Sequence, residues 1–346
     1  MPAELLKIGL IGAGRIGRMH AEHLTMRVPS AELVMVADVL EENARQCAKR
    51  YGIPFATQDY HAVLARPDIE AVAICSSTDT HARIIEEAAQ TGKHIFCEKP
   101  IALDLATIDR ALDAVKHAGV KLQLGFNRRF DASYRRVRQA IEQGETGDLH
   151  QLHIISRDPA PPPIEYIRSS GGLFLDMTIH DFDMARFLIG SEVDEIFAMA
   201  GVMVDPAIGE AGDVDTAIVM LHFNNGVIGT IENSRCAAYG YDQRVEVLGS
   251  AGAVWTENNY PNTAIISDSR SIRRDLPLHF YIERYTESYI TEMEAFVDAV
   301  LHDKPVPVTG YDGRMAAVLG LAAKKSWSEH RPVQLSEIDS EPRRQA

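Results

Sequence analysis

Residues 7–24 read KIGLIGAGRIGRMHAEHL. An apolar run ends in a G-x-G-x-x-G formed by Gly12, Gly14 and Gly17, and an amphipathic stretch follows, so a strand passes into a helix through a glycine turn. Gly12 permits the tight turn, Gly14 lets the backbone approach a pyrophosphate, and Gly17 lets helix and strand pack closely. The helix N-terminus then offers free N–H groups to phosphate. Ala13, Arg15 and Ile16 complete this loop and are expected at the cofactor. Asp38 ends the next apolar run, "LVMVAD". A carboxylate there accepts bonds from the ribose hydroxyls of NAD and repels a 2′-phosphate. No Arg or Lys follows before Arg45, so NAD is expected over NADP.

Working outward, "KIGLI", "LVMVAD", "AVAIC", "HIFCE" and "KLQLGF" alternate with helical patterns, the signature of a doubly wound parallel sheet. Gly52, Gly92 and Gly119 read as left-handed helix ends, and Thr80 or Asp104 as a helix start. This predicts a Rossmann-type α/β domain over residues 1–124. Beyond it the pattern changes. A helix "DASYRRVRQAIEQG" and a strand "LHQLHII" lead into a Pro-rich loop and a buried helix over 171–190. Alternating runs then flank hairpin signals at 224–226 and 250–251. Helices are expected over about 284–302 and 311–329. The expectation is an α+β domain over 125–335 with a large, mainly antiparallel open sheet, followed by a polar, frayed tail at 336–346. Such a sheet needs both faces covered and few helices are available, which suggests a homo-oligomer.

The chain has 346 residues and a net charge of −14. That charge repels nucleic acid and anionic membranes, leaving small molecules as the expected partners. No apolar run approaches the roughly 20 residues of a membrane span, and no signal-peptide pattern is evident, so a cytoplasmic location is expected. Cys47, Cys75, Cys97 and Cys236 are widely spaced, which suggests neither a zinc site nor a disulfide framework.

The loop "CSSTDTHA" follows the strand "AVAIC" at the carboxyl edge, where Ser76, Thr78 and His81 are candidates to line the cofactor cleft. "FCEKP" ends a neighbouring strand and puts Glu98 and Lys99 at that edge too. In "GGLFLDMTIHDFDMARFLIG", residues 171–190, Asp176, His180 and Asp183 recur at helical spacing on an otherwise apolar helix. Oxidising an alcohol requires a base for the hydroxyl proton, a task that suits histidine, so His180 is the expected base. Asp176 can fix its tautomer and stabilise the imidazolium. Lys99 can stabilise the developing negative charge on oxygen. Asp183 is read as support, and Arg129 as a salt-bridge residue. H-E-x-x-H is absent and no third ligand is evident, so no metal is expected.

"GAGRIG", "EKP", "GFNRRF" and "DMTIHDFD", in this order, resemble the glucose–fructose oxidoreductase/inositol dehydrogenase/rhizopine catabolism (Gfo/Idh/MocA) family. The narrower "SRDP" and "YGYDQRVEV" resemble its bacterial inositol 2-dehydrogenase branch. The resemblance spans about residues 5–335. It implies that Lys99, Asp176 and His180 meet polyol hydroxyls beside the nicotinamide, and that Arg128 lines the same pocket. Asp158 stands where some relatives have asparagine, and either Tyr239 or Tyr241 forms the pocket wall. The implied activity is NAD-dependent oxidation of a secondary hydroxyl of a cyclic polyol, with myo-inositol to its 2-keto product (scyllo-inosose) as the first candidate. Scyllo-inositol, another isomer or an aldopyranose are the alternatives. An NAD-dependent glycosidase and a non-enzymatic redox sensor are the rivals from other classes. The resemblance also implies a tetramer.

Overall fold

The computed structural model describes residues 5–340 and divides into two compact units. The first comprises Met1–Asn127 with Glu287–Ala317, the second Arg128–Thr286 with Val318–Ala346.

Six strands form the sheet of the first unit: β1 (Leu6–Ile11), β2 (Ala31–Ala37), β3 (Phe55–Thr57), β4 (Ala71–Ile74), β5 (His94–Glu98) and β6 (Leu122–Gly125). Their order is β3-β2-β1-β4-β5-β6, and every pair is parallel. The order reverses direction at β1, the switch point where ligands of such sheets bind. Helices α1 (Arg15–Met26), α2 (Glu41–Tyr51), α3 (His61–Leu64), α4 (Thr78–Gln90) and α5 (Leu105–Ala118) connect the strands. Leu6, Ile8, Leu10, Val36, Ala71 and Phe96 are fully buried, as strands covered on both faces require. Edge strand β3 and the single-turn α3 escaped the sequence reading because three residues give no usable period. Asp104 caps α5 by accepting from the Thr107 N–H. Thr80 does not start α4: it lies in the first turn, where its hydroxyl donates to the Ser77 carbonyl.

The second unit holds α6 (Ala132–Glu142), β7 (Leu149–Arg157), α7 (Ile164–Ser169), α8 (Leu173–Asp176), α9 (Thr178–Ile189), β8 (Val193–Gly201), α10 (Pro206–Glu210), β9 (Thr216–Phe223), β10 (Ile228–Ser234), β11 (Asp242–Gly249) and β12 (Gly252–Trp255). After the small ribbon β13 (Ile265–Ser267) and β14 (Ile272–Arg274) come α11 (Tyr281–Leu301), α12 (Gly310–Glu329) and β15 (Val333–Gln334). The large sheet runs β12-β11-β7-β10-β9-β8-β15. Both anticipated hairpins form, at β9–β10 and β11–β12. One pair, β7–β10, is parallel, which the hairpin signals did not reveal.

Three expectations require correction. Residues 287–317 join the first unit, where Met293, Phe296 and Val297 pack into the core beneath the parallel sheet. The helix over 171–190 is broken: α8 ends at Asp176 and α9 starts at Thr178, so the three-residue stripe does not lie on one continuous helix. The tail is ordered further than expected, because Leu335–Glu337 form a 3-10 turn and Leu335 is buried; residues 341–346 lie outside the described residues.

Candidate active site

In the first unit the glycine loop is built as its sequence demands. Gly12 has φ +99°, and a Cβ there would stand 2.5 Å from the Cys75 carbonyl oxygen, so the loop after β4 abuts the turn. A Cβ on Gly17 would stand 1.9 Å from the Gly12 carbonyl oxygen, which enforces close packing of helix and turn. Gly14 faces open space and supplies no side-chain cap, leaving the first N–H groups of α1 available. Asp38 secures the turn by accepting from Ala13 N–H at 2.7 Å and from Leu40 N–H at 2.9 Å. A carboxylate has lone pairs beyond these two, so ribose hydroxyls remain within its capacity. Cradle, uncapped helix and carboxylate together fit NAD.

Ser76 lies beside this turn, and its hydroxyl is 2.7 Å from that of Thr80; Thr78 is the first residue of α4. His81 was expected to line the cleft. Instead it is buried, with Nδ1 2.8 Å from the Pro100 carbonyl and Nε2 3.0 Å from that of Ser76. It therefore ties the loop after β4 to the segment that follows Lys99. Glu98 ends β5, and its carboxylate accepts from His20 Nε2 at 2.7 Å. Lys99 is the next residue, joined to Pro100 by a cis peptide.

In the second unit the parallel pairing sets Arg157 opposite Ser234, so Asp158 and Arg235 leave the same end of the sheet side by side. Asp158 N–H donates to the Ser234 carbonyl, and Ala237 N–H to that of Asp158. The Asp176 carboxylate joins them: Tyr166 Oη donates to it at 2.8 Å, and the buried Arg235 guanidinium lies 3.4 Å away. Asp213 lies 3.9 Å from Arg235 on another side and also accepts from Leu173 N–H at the start of α8. Burial pushes the Asp158 carboxyl up to about 6; the Arg235 cation opposes this, and the neighbouring Asp176 charge adds to it. His180 is the third residue of α9, in its first turn after the break, and is partly buried.

Below this layer runs a dry polar network. Arg128 pairs with Asp181, which also accepts from Asn233 Nδ2 at 2.8 Å. Arg128 is buried, and its guanidinium faces Asp181, Ser156 and the Tyr285 ring. Arg129 grips Asp183 with a two-pronged pair at 2.8 and 2.6 Å. The exposed Tyr239 donates to the buried Asp242 and accepts from Arg157. Tyr241 is buried against Tyr285, where burial raises its hydroxyl pKa and the charges of Arg128, Asp158 and Asp181 reach it. Tyr241 therefore sits where this network meets Asp158.

Arg235, Tyr166, Asp213 and Asp181 were not anticipated. Arg235 was visible only as a lone cation after an alternating strand, and the others only as polar residues beside apolar ones.

The chain was compared with known proteins. Residues 6–126 match the family described as "Oxidoreductase family, NAD-binding Rossmann fold", and residues 134–255 match "GFO/IDH/MocA C-terminal domain". The chain is 49% identical over 333 residues to a myo-inositol 2-dehydrogenase of Thermotoga maritima, covering 96% of this chain and 99% of that protein. It is 46% identical over 332 residues to an inositol 2-dehydrogenase of Rhizobium meliloti, covering 96% and 99%. Its fold superimposes with a TM-score of 0.90 on scyllo-inositol dehydrogenase from Lactobacillus casei with bound NAD(H) and scyllo-inositol. That protein is 31% identical, with 96% of this chain and 100% of the other covered.

Proposed function

The chain belongs to the Gfo/Idh/MocA oxidoreductase family, and from that premise we propose that it is an NAD-dependent inositol dehydrogenase that oxidises myo-inositol to its 2-keto product. The observation that carries the reading is the presence, in one chain, of the Asp38-secured glycine cradle and of a polar layer of Asp158, Asp176 and the buried Arg235, with His180 in the first turn of α9. Its similarity to proteins named inositol dehydrogenases supports the substrate class.

When bound, the dinucleotide supplies the hydride acceptor. His180 takes the proton of the reacting hydroxyl. Lys99 donates to the same oxygen and stabilises its growing charge. Asp176, held by Tyr166 and Arg235, orients His180 and favours its protonated form as the proton arrives. Asp158 and Tyr241 hydrogen-bond other ring hydroxyls; Arg128, through Asp181, keeps their platform rigid.

Initial rates of NADH formation over a panel of inositols and aldopyranoses test the proposal. Myo-inositol is expected to give the highest kcat/KM, with turnover of scyllo-inositol as the second reading, favoured by the likeness to the scyllo-inositol dehydrogenase. Absence of NADH with every inositol, alongside release of sugar from a glycoside, would overturn it.

The register places Phe197, Met199, Ile218, Met220, Ile228, Leu248 and Trp255 on one face of the large sheet. All but Phe197 are exposed large apolar residues, whereas α9 packs against β7 and β10. These exposed apolar side chains, interleaved with polar ones such as His153, His222, Thr230 and Glu246, call for a partner, and a second copy is the partner proposed, in a homotetramer. Light scattering is expected to give four chain masses; a monomeric mass would refute it. Among the described residues no helix is long and apolar enough to cross a membrane, in keeping with a proposed cytoplasmic enzyme drawing on the NAD pool there.

A further inference from the structure

A second buried polar cluster lies within the first unit. His20 on α1, Glu98 at the end of β5 and Glu292 on α11 bring one ligand-type atom each to within 4.8 Å of one another. His20 and Glu292 are wholly buried, and neither oxygen of the Glu292 carboxyl has a hydrogen-bond partner. The placement is not casual. Gln123 Nε2 donates to the Glu292 carbonyl at 2.8 Å and pins α11 to β6. Phe96 and Tyr289 meet the His20 ring edge-on. A Cβ on Gly125 would stand 3.0 Å from Glu98 Oε2, so glycine there leaves room for that carboxylate.

Two carboxylates this close in a dry interior do not both ionise, because each raises the cost of charging the other. Burial, reinforced by Glu98, pushes the Glu292 carboxyl well above the usual range. The titratable groups around the cluster are held neutral by burial. The Cys75 and Cys97 thiols are pushed up, while His81 is pushed down and His23 falls to about 4. A proton on Glu292 therefore satisfies both it and Glu98. Glu98 accepts from His20 and has the Glu292 carboxyl within 4.8 Å, and its main chain continues directly into Lys99.

We propose that Glu292 is a positioning residue for Lys99: as a neutral acid it donates to Glu98 and, with His20, fixes the strand end that delivers the lysine. The inference rests on the role given to Lys99 above. It is tested with Glu292→Gln, which keeps a donor and never ionises, and Glu292→Ala, which removes it. The Gln variant is expected to retain kcat close to that of the unmodified enzyme, and the Ala variant to lose about ten- to hundredfold in kcat with KM for NAD unchanged. Stability gives an independent reading. A carboxyl whose folded-state pKa is raised stabilises the fold at low pH and loses that contribution as pH rises through the folded value. The Tm of Glu292→Gln should therefore exceed that of the unmodified enzyme by a margin that widens on going from pH 6 to pH 9.

A Gln variant as impaired as the Ala variant, or a Tm gap that does not change with pH, overturns the proposal. So does one equivalent of zinc or manganese retained through dialysis and lost in Glu292→Gln, since the cluster would then be a metal site. Should Lys99 prove dispensable, the widening Tm gap would still report the proton on Glu292, so the two failures are distinguishable.

Discussion

His180→Ala is expected to lower kcat about 10²–10⁴-fold, the usual contribution of a positioned general base, while leaving the dissociation constant for NAD unchanged. The dinucleotide cradle is made by Gly12, Gly14, Gly17 and Asp38 in the first unit, whereas His180 belongs to the second. It lies in the first turn of α9, a helix that Arg128–Asp181 and Arg129–Asp183 hold in place. Those pairs persist in the variant, so the loss measures proton abstraction and not a collapsed fold. Single-turnover NADH formation together with NAD titration by fluorescence separates the two quantities. Near-unmodified kcat would remove His180 from the mechanism.

Lys99→Met carries the second large effect, a fall in kcat of about 10²–10³-fold. Methionine preserves much of the length and the apolar stem of the side chain but not the ammonium group. What disappears is stabilisation of charge on the reacting oxygen, an interaction stronger in the transition state than in the ground state. The expected signature is a kcat that falls far more than KM for inositol changes. A rise in KM with kcat intact would recast Lys99 as a substrate clamp with no part in the chemical step.

Much of the first unit was legible because its information is local. Strand, glycine turn and helix follow one another within residues 7–24, and Asp38 closes the motif one strand later. The second unit was legible only in its hairpins. Pairing β7 in parallel with β10 depends on how the chain returns after residues 158–227, and no short window records that. The same holds for Arg235, which meets Asp176 across 59 residues of sequence. Asp181 was overlooked because attention to spacing of three and four residues selected its neighbours. Yet it is Asp181 that receives Arg128, the residue expected in the pocket. The C-terminal helices were located correctly along the chain but assigned wholly to the second unit, because amphipathicity says that a face is buried and not against which core.

The single parallel pair in the large sheet has a consequence for how this enzyme could diversify. Everything between the end of β7 and the start of β8 is one excursion, and it contains Asp158, Tyr166, Asp176 and His180. Arg235, Asp213 and Tyr241 reach the same polar layer from outside it. The excursion can therefore be rewritten as a cassette, with new hydroxyl-reading side chains on α7 and α8, while the strand pairing and the dinucleotide cradle stay as they are. Exchange of residues 159–175 with the equivalent segment of a relative of different isomer preference is the natural unit for altering which polyol is oxidised.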